Sequence, residues 1–119
     1  MSVALPPEAI GEDEADGFAM TNLPPRRTGL PFVVFVSQRG GARHDVRVKI
    51  CETPQYRPEL AVSVALRPDV RVVSGALSAA ALDALSRWIE LNREALIDYW
   101  DGRIEYTEDL LALLKPLPR

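Results

Sequence analysis

Residues 77–102 constrain the fold of this 119-residue chain more than any other stretch, because both ends and both faces of one long helix can be read from them. The Ser78 hydroxyl can accept a hydrogen bond from the first helical turn, and Gly102 suits the left-handed conformation that commonly follows a helix. Apolar residues recur at spacings of three, four and seven at Leu82, Leu85, Ile89, Leu96 and Tyr99. The pattern predicts an amphipathic helix packed on a core.

The apolar face of this helix is broad. It is widened by Trp88, Leu91, Ala95 and Trp100. We expect a four-stranded sheet to be too narrow to cover this face fully, which would leave part of it for a partner. Asn92 interrupts the apolar stripe, and a polar side chain there needs a hydrogen-bond partner. The hairpin that carries His44 is the expected partner.

Four strands are predicted before the helix. Residues 32–36 are continuously apolar and β-branched or aromatic, whereas residues 46–50 alternate between apolar and charged. Residues 60–66 and 70–73 complete the set, and residues 107–114 form a short helix. We therefore predict an α+β fold, in which an antiparallel meander of about four strands packs in two layers on one long C-terminal helix and one short helix.

Residues 1–28 differ in composition from the rest of the chain. They include two Pro-Pro pairs and a cluster of acidic residues, and their apolar residues show no period. This composition predicts a disordered tail, followed by a single domain at residues 29–119. An arm that binds a partner or masks the basic middle of the chain is the alternative, and Met20 is an alternative start.

Composition limits the location of the protein. The chain has one cysteine, Cys51, which excludes an internal disulfide and fits a reducing cytosol. It contains no apolar run long enough to span a membrane and no secretory signal. We expect a cytoplasmic protein with no membrane association.

The polar segment with the most potential for binding or chemistry is residues 39–49, which we call the basic hairpin. Its candidate binding residues are Arg43, His44, Arg47 and Lys49, and Asn92 of the long helix is added to them. No residue is assigned as catalytic, although His44 beside Asp45 is a candidate for acid–base work. The alternative is that His44 packs at the sheet edge against the long helix.

The sequence gives no pattern for a metal or a cofactor. His44 and Cys51 would lie on opposite faces of a strand, and one pair of ligands is a poor start for a metal site. The two glycines of the hairpin lack the Lys-Ser/Thr and the following helix of a phosphate-binding loop. We therefore expect neither a metal nor a cofactor.

Residues 42–50 and 86–102 resemble the small bacterial proteins of domain-of-unknown-function family 4160. The similarity covers roughly residues 30–102 and is best in the Asn-Arg-Glu-x-Leu-x-x-x-Trp segment from Asn92 to Trp100. The chain departs from that family at Val46, where a His-x-His pair would place a second histidine after His44. The resemblance implies a small cytoplasmic bacterial protein with a protein partner, related to components of toxin–antitoxin-like gene pairs.

These observations favour a non-enzymatic protein-interaction module that binds a protein partner or forms a homo-oligomer. Nucleic-acid binding is the first alternative, because Arg39, Arg43, Arg47 and Lys49 of the basic hairpin can follow a phosphate backbone. A small hydrolase or nuclease that uses His44 is the second alternative.

Overall fold

The fold is a five-stranded antiparallel sheet with helices packed against it. The structure is a computed structural model that describes residues 20–53 and 55–118. Its elements are β1 (Thr21–Leu23), α1 (Pro25–Thr28), β2 (Val33–Val36), β3 (Arg47–Cys51), β4 (Val62–Ala65), β5 (Arg71–Ser74), α2 (Ala79–Trp100) and α3 (Thr107–Leu113). The strand order is β1-β2-β3-β4-β5, and every neighbouring pair is antiparallel. The predicted α+β meander is confirmed, with five strands rather than four.

The additional strand, β1, comes from the stretch that composition assigned to the tail. Thr21 pairs with Val36 and Leu23 pairs with Val34, which places β1 at the edge of the sheet beside β2. The short helix α1 follows, with a proline in its first turn. The boundary predicted at residue 29 is therefore wrong, since residues 21–28 belong to the folded domain. The prediction of disorder for residues 1–19 lies outside the described residues.

The sheet buries both of its faces to different extents. On one face, Val34, Val48 and Val64 join the main core with α2. On the other face, Val33, Phe35 and Cys51 form a smaller buried cluster. Strand β2 is buried along its whole length, as its continuous apolar sequence predicts.

Helix α2 begins and ends as the sequence predicts. The Ser78 hydroxyl accepts a hydrogen bond from the Ala81 amide at 3.1 Å, and Gly102 has a φ of +86° just beyond the last turn. Of the broad apolar face, Trp88 and Trp100 are covered, at 0% and 2% exposed, whereas Leu91 remains 45% exposed. The tryptophans are covered by more than the four predicted strands, because Leu23 of β1 and Leu110 of α3 belong to the same core.

The C-terminal segment after α3 returns across the domain to α1. The Leu117 amide donates a hydrogen bond to the Thr28 carbonyl at 2.8 Å, and Thr28 is fully buried. This contact joins the two ends of the described fold. Within residues 20–53 and 55–118, no helix combines the length and the apolar character needed to cross a bilayer.

Candidate functional site

His44 lies in the connection between β2 and β3, at the end of the sheet where α2 terminates. Its ring stacks on Trp100, with the ring centroids 5.5 Å apart and the planes inclined by 25°. Its Nδ1 atom is 2.7 Å from the carbonyl oxygen of Asp45, so Nδ1 donates the hydrogen bond. A main-chain carbonyl therefore orients the imidazole at Nδ1. The geometry matches the packing alternative, in which His44 lies against the long helix.

The Asp45 carboxylate is directed at Arg67 in the turn between β4 and β5. Its two oxygens accept hydrogen bonds from Arg67 Nε at 2.7 Å and Nη2 at 2.9 Å. This bidentate contact lowers the pKa of Asp45 to about 2. Arg67 also lies 3.8 Å from Asp101, which pairs in turn with Arg103. These exposed ion pairs connect the β2–β3 connection, the β4–β5 turn and the end of α2.

An open cleft of about 550 Å³ lies at the same end of the molecule. Its lining residues are Gln38, Arg39, Gly40, Trp100, Asp101, Gly102 and Glu105. Gln38 Nε2 donates to the carbonyls of Ile104 and Glu105, and the Arg39 amide donates to the Trp100 carbonyl. The cleft therefore lies between two segments held together by hydrogen bonds. In the described part of the chain, no three His, Cys, Asp or Glu side chains gather into a metal site.

The cations of the basic hairpin do not form one exposed strip. Lys49 is only 3% exposed, and its ammonium lies 5.7 Å from the centre of the Tyr56 ring. Tyr56 belongs to the β3–β4 connection and packs edge-on against Phe35. The charged face of β3 is therefore shielded from water at Lys49, because this connection folds over the sheet. Arg47 is half-buried on the same face, whereas Arg43 is exposed in the preceding connection.

Asn92 lies far along α2 from this end and makes a different contact from the one predicted. Its Oδ1 accepts from the Lys115 amide at 2.7 Å, and its Nδ2 donates to the carbonyls of Lys115 at 2.9 Å and Trp88 at 3.0 Å. The need for hydrogen bonds at this buried amide is confirmed. The proposed partner, the His44 hairpin, is wrong, because the C-terminal segment packs on this part of α2.

The predicted binding residues therefore occupy three places: the His44 end, the far face of the sheet and the Asn92 contact. A fourth feature was missed by the sequence reasoning. It is a groove of about 220 Å³ between α2 and the C-terminal segment, lined by Leu91, Asn92, Glu94, Ala95, Asp98, Leu113 and Lys115. We call it the α2–α3 groove.

Two large apolar side chains of the α2–α3 groove are exposed to solvent. Leu91 is 45% exposed and Leu113 is 54% exposed. The sequence placed Leu91 in the apolar stripe of the long helix, but this side chain lies at the border of the stripe, next to Glu90 and Glu94. The charged residues Glu90 and Glu94 are the signal in the sequence that Leu91 lies at this border. That Leu113 lines the same groove as Leu91 depends on the tertiary fold.

Comparisons with known proteins found none that is similar to this chain. A scan against protein-family models, a search of curated proteins and a search of solved structures each returned no match to the chain.

Proposed function

We propose that this chain is a non-enzymatic protein-interaction module that docks a protein partner in the α2–α3 groove. The observation that carries the proposal is the pair of exposed leucines, Leu91 and Leu113, at one groove with charged residues around it. Apolar side chains rimmed by polar groups are typical of docking surfaces, where the apolar centre supplies affinity and the rim supplies specificity.

The groove walls are fixed relative to each other, which favours binding. Asn92 bonds both polar groups of the Lys115 main chain, so the C-terminal wall is held against α2. A site that is already ordered spends less conformational entropy when a partner docks. The resemblance in residues 92–100 also implies a protein partner.

The arrangement at His44 gives less support to the hydrolase alternative. His44 Nδ1 is taken up by a carbonyl, and the Asp45 carboxylate is taken up by Arg67. An acid–base mechanism needs an imidazole oriented toward a reacting group, usually by a carboxylate. The nucleic-acid alternative is weakened by the burial of Lys49.

Affinity capture with matched variants tests the proposed function. The tagged full chain is expressed in cells beside an untagged copy, and everything that it retains is quantified, including the untagged copy. We expect the double substitution Leu91→Ser and Leu113→Ser to reduce the retained partner about tenfold or more, because truncated interface anchors commonly lose that much affinity.

Leu60→Ser is the control for that capture, because Leu60 is also an exposed leucine, at 53%, but lies outside the groove. The control should retain the partner at the wild-type level. If no protein, including the untagged copy, depends on Leu91 and Leu113 for capture, the α2–α3 groove is not a docking site.

A further inference from the structure

The α2–α3 groove carries an acidic group on one wall and a basic group on the other. Building on the proposed function, we propose that the partner in the groove is a second copy of this chain, related by a two-fold axis. In such an interface each residue i contacts residue j of the partner, and j contacts i, so one surface must complement itself. The α2–α3 groove meets this requirement in both its apolar and its charged groups.

The apolar part of the groove consists of Leu91 and Ala95 on α2 and Leu113 at the end of α3. Leu91 and Ala95 are one helical turn apart, so they lie on the same face of α2. The small side chain of Ala95 leaves room for a second helix to approach, because interhelical distance depends on the side chains at the contact. Leu91 of one copy can then enter the space between Ala95 and Leu113 of the other.

The charged part consists of Glu94 on the α2 wall and Lys115 on the C-terminal wall. Neither side chain forms an ion pair within residues 20–53 and 55–118, whereas Asp98 of the same wall pairs with Arg103 at 2.8 Å. A two-fold axis through the groove would place Glu94 of each copy opposite Lys115 of the other. Two intermolecular ion pairs would form, because each copy supplies a Lys115 to the Glu94 of the other copy.

The position of Lys115 is fixed by its main chain, which is hydrogen-bonded on both sides to Asn92. The Lys115 ammonium is therefore presented from an anchored point, and its side chain can be changed without loss of those two hydrogen bonds. Glu94 is likewise exposed on a regular helix. Both charges can thus be reversed while the fold is kept, which makes the proposal accessible to a charge-swap experiment.

The experiment measures the oligomeric state of the purified full chain by sedimentation velocity, from about 1 to about 500 µM, because mass action populates a dimer at high concentration. We expect a reversible monomer–dimer equilibrium. Leu91→Ser should raise the dimer dissociation constant about 100-fold, since the substitution removes the same buried leucine from both copies. Leu60→Ser should leave it unchanged.

Charge reversal distinguishes this interface from other apolar contacts. Glu94→Lys alone and Lys115→Glu alone should each weaken the dimer about tenfold, because each places two pairs of like charges together. The double variant Glu94→Lys with Lys115→Glu should dimerise within about threefold of the wild-type dissociation constant, because the opposite pairs are restored. Urea unfolding of each variant checks that the fold is intact.

A chain that stays monomeric over the whole concentration range overturns the second-copy proposal, as does a dimer that ignores Leu91 or is not restored by the double reversal. If that monomer still captures a different protein through Leu91 and Leu113, the proposed function survives without this inference. If neither dimerisation nor capture depends on the groove, both are overturned.

Discussion

Asn92 joins two parts of the molecule that are far apart in sequence. Its amide closes a two-way hydrogen-bond pair with the main chain of Lys115 and adds a third bond to the Trp88 carbonyl within α2. Because the side chain is buried, each of these polar groups would lose a partner if the amide were removed. Asn92 is therefore a positioning residue that sets the C-terminal wall of the α2–α3 groove.

Replacement of Asn92 by leucine, a side chain of similar size, should lower the free energy of unfolding by about 2 kcal/mol. The substitution leaves the main-chain groups of Lys115 and Trp88 without their hydrogen-bond partner. Urea unfolding measures the change, and the Lys115 amide should exchange its hydrogen faster in the variant. Arg87→Gln, at an exposed position of the same helix, should stay within about 0.5 kcal/mol of the wild type. Equal stability of Asn92→Leu and the wild type would contradict this role.

Asp45 gives the fold a dependence on pH at acidic values. Its pKa in the folded chain is about 2, below the ordinary 3.8, chiefly because Arg67 donates hydrogen bonds to the carboxylate. The folded state therefore favours the charged form, and the resulting stability is present above about pH 4 and is lost as the pH falls toward 2. The contribution is small, because the Asp45 side chain is 54% exposed and solvent screens the pair.

The difference in unfolding free energy between the wild type and Asp45→Asn should accordingly shrink between pH 5 and pH 2, and urea titrations at several pH values in this range measure it. Arg67→Gln should move the pKa of Asp45, followed by NMR, back toward its ordinary value. A difference that is constant across the range would show that the Arg67 contact does not hold the carboxylate.

At the scale of elements, the C-terminal segment packs against the end of α1 at Gly29. Gly29 has a φ of +80°, and a Cβ atom there would lie 2.8 Å from the Leu117 carbonyl oxygen and 3.0 Å from its amide nitrogen. Only glycine satisfies both the left-handed backbone and this close approach. The pairing of Leu117 with Thr28 therefore depends on Gly29.

Gly29→Ala and Gly102→Ala form a matched pair that separates the strain of a positive φ from the clash of a Cβ atom with Leu117. Gly102 also has a positive φ, +86°, but a Cβ there would meet nothing within 4 Å. Gly102→Ala should therefore cost about 1 kcal/mol from backbone strain alone, and Gly29→Ala should cost clearly more, about 2 to 3 kcal/mol. Thermal or urea unfolding measures the loss of stability in each variant. Equal losses would mean that the C-terminal segment moves away from the added Cβ atom at no cost in free energy.

Strand β3 shows which part of an element its sequence predicts. The alternation in residues 46–50 correctly places Val48 and Ile50 in the core beside α2, because strand side chains alternate between faces. The environment of Lys49 on the other face depends on Tyr56, which the β3–β4 connection brings over the sheet. No local pattern in β3 contains that information. The same is true of β1, whose three residues are too few to show a period.

At the scale of the whole molecule, the positive charges are dispersed over separate surfaces. Arg43 is exposed in the β2–β3 connection, Lys49 is buried on the far face of the sheet, and Arg67 is engaged by Asp45. Tight binding to nucleic acid needs several cations that follow one phosphate backbone. The dispersed arrangement predicts weak binding, in keeping with a net charge of −3.

We therefore expect the full chain to leave a DNA or RNA column below about 200 mM salt, and the double variant Arg43→Ala with Arg47→Ala to elute at the same point. Salt-gradient chromatography gives this readout, with Arg87→Ala as a control for the loss of a cation elsewhere. Strong, steeply salt-dependent retention that falls in the double variant alone would favour nucleic-acid binding through the basic hairpin.

The long helix, the alternation of β3 and β4 and the α+β class follow from local patterns in the amino-acid sequence. These features depend on side-chain periodicity and on caps such as Ser78, which act between residues that are near in the chain. Only the packing of distant segments brings β1 into the sheet, bonds Asn92 to Lys115, and makes Leu91 and Leu113 line one groove. Each of these contacts joins residues distant in sequence, so it is set by how the elements pack and not by any local pattern.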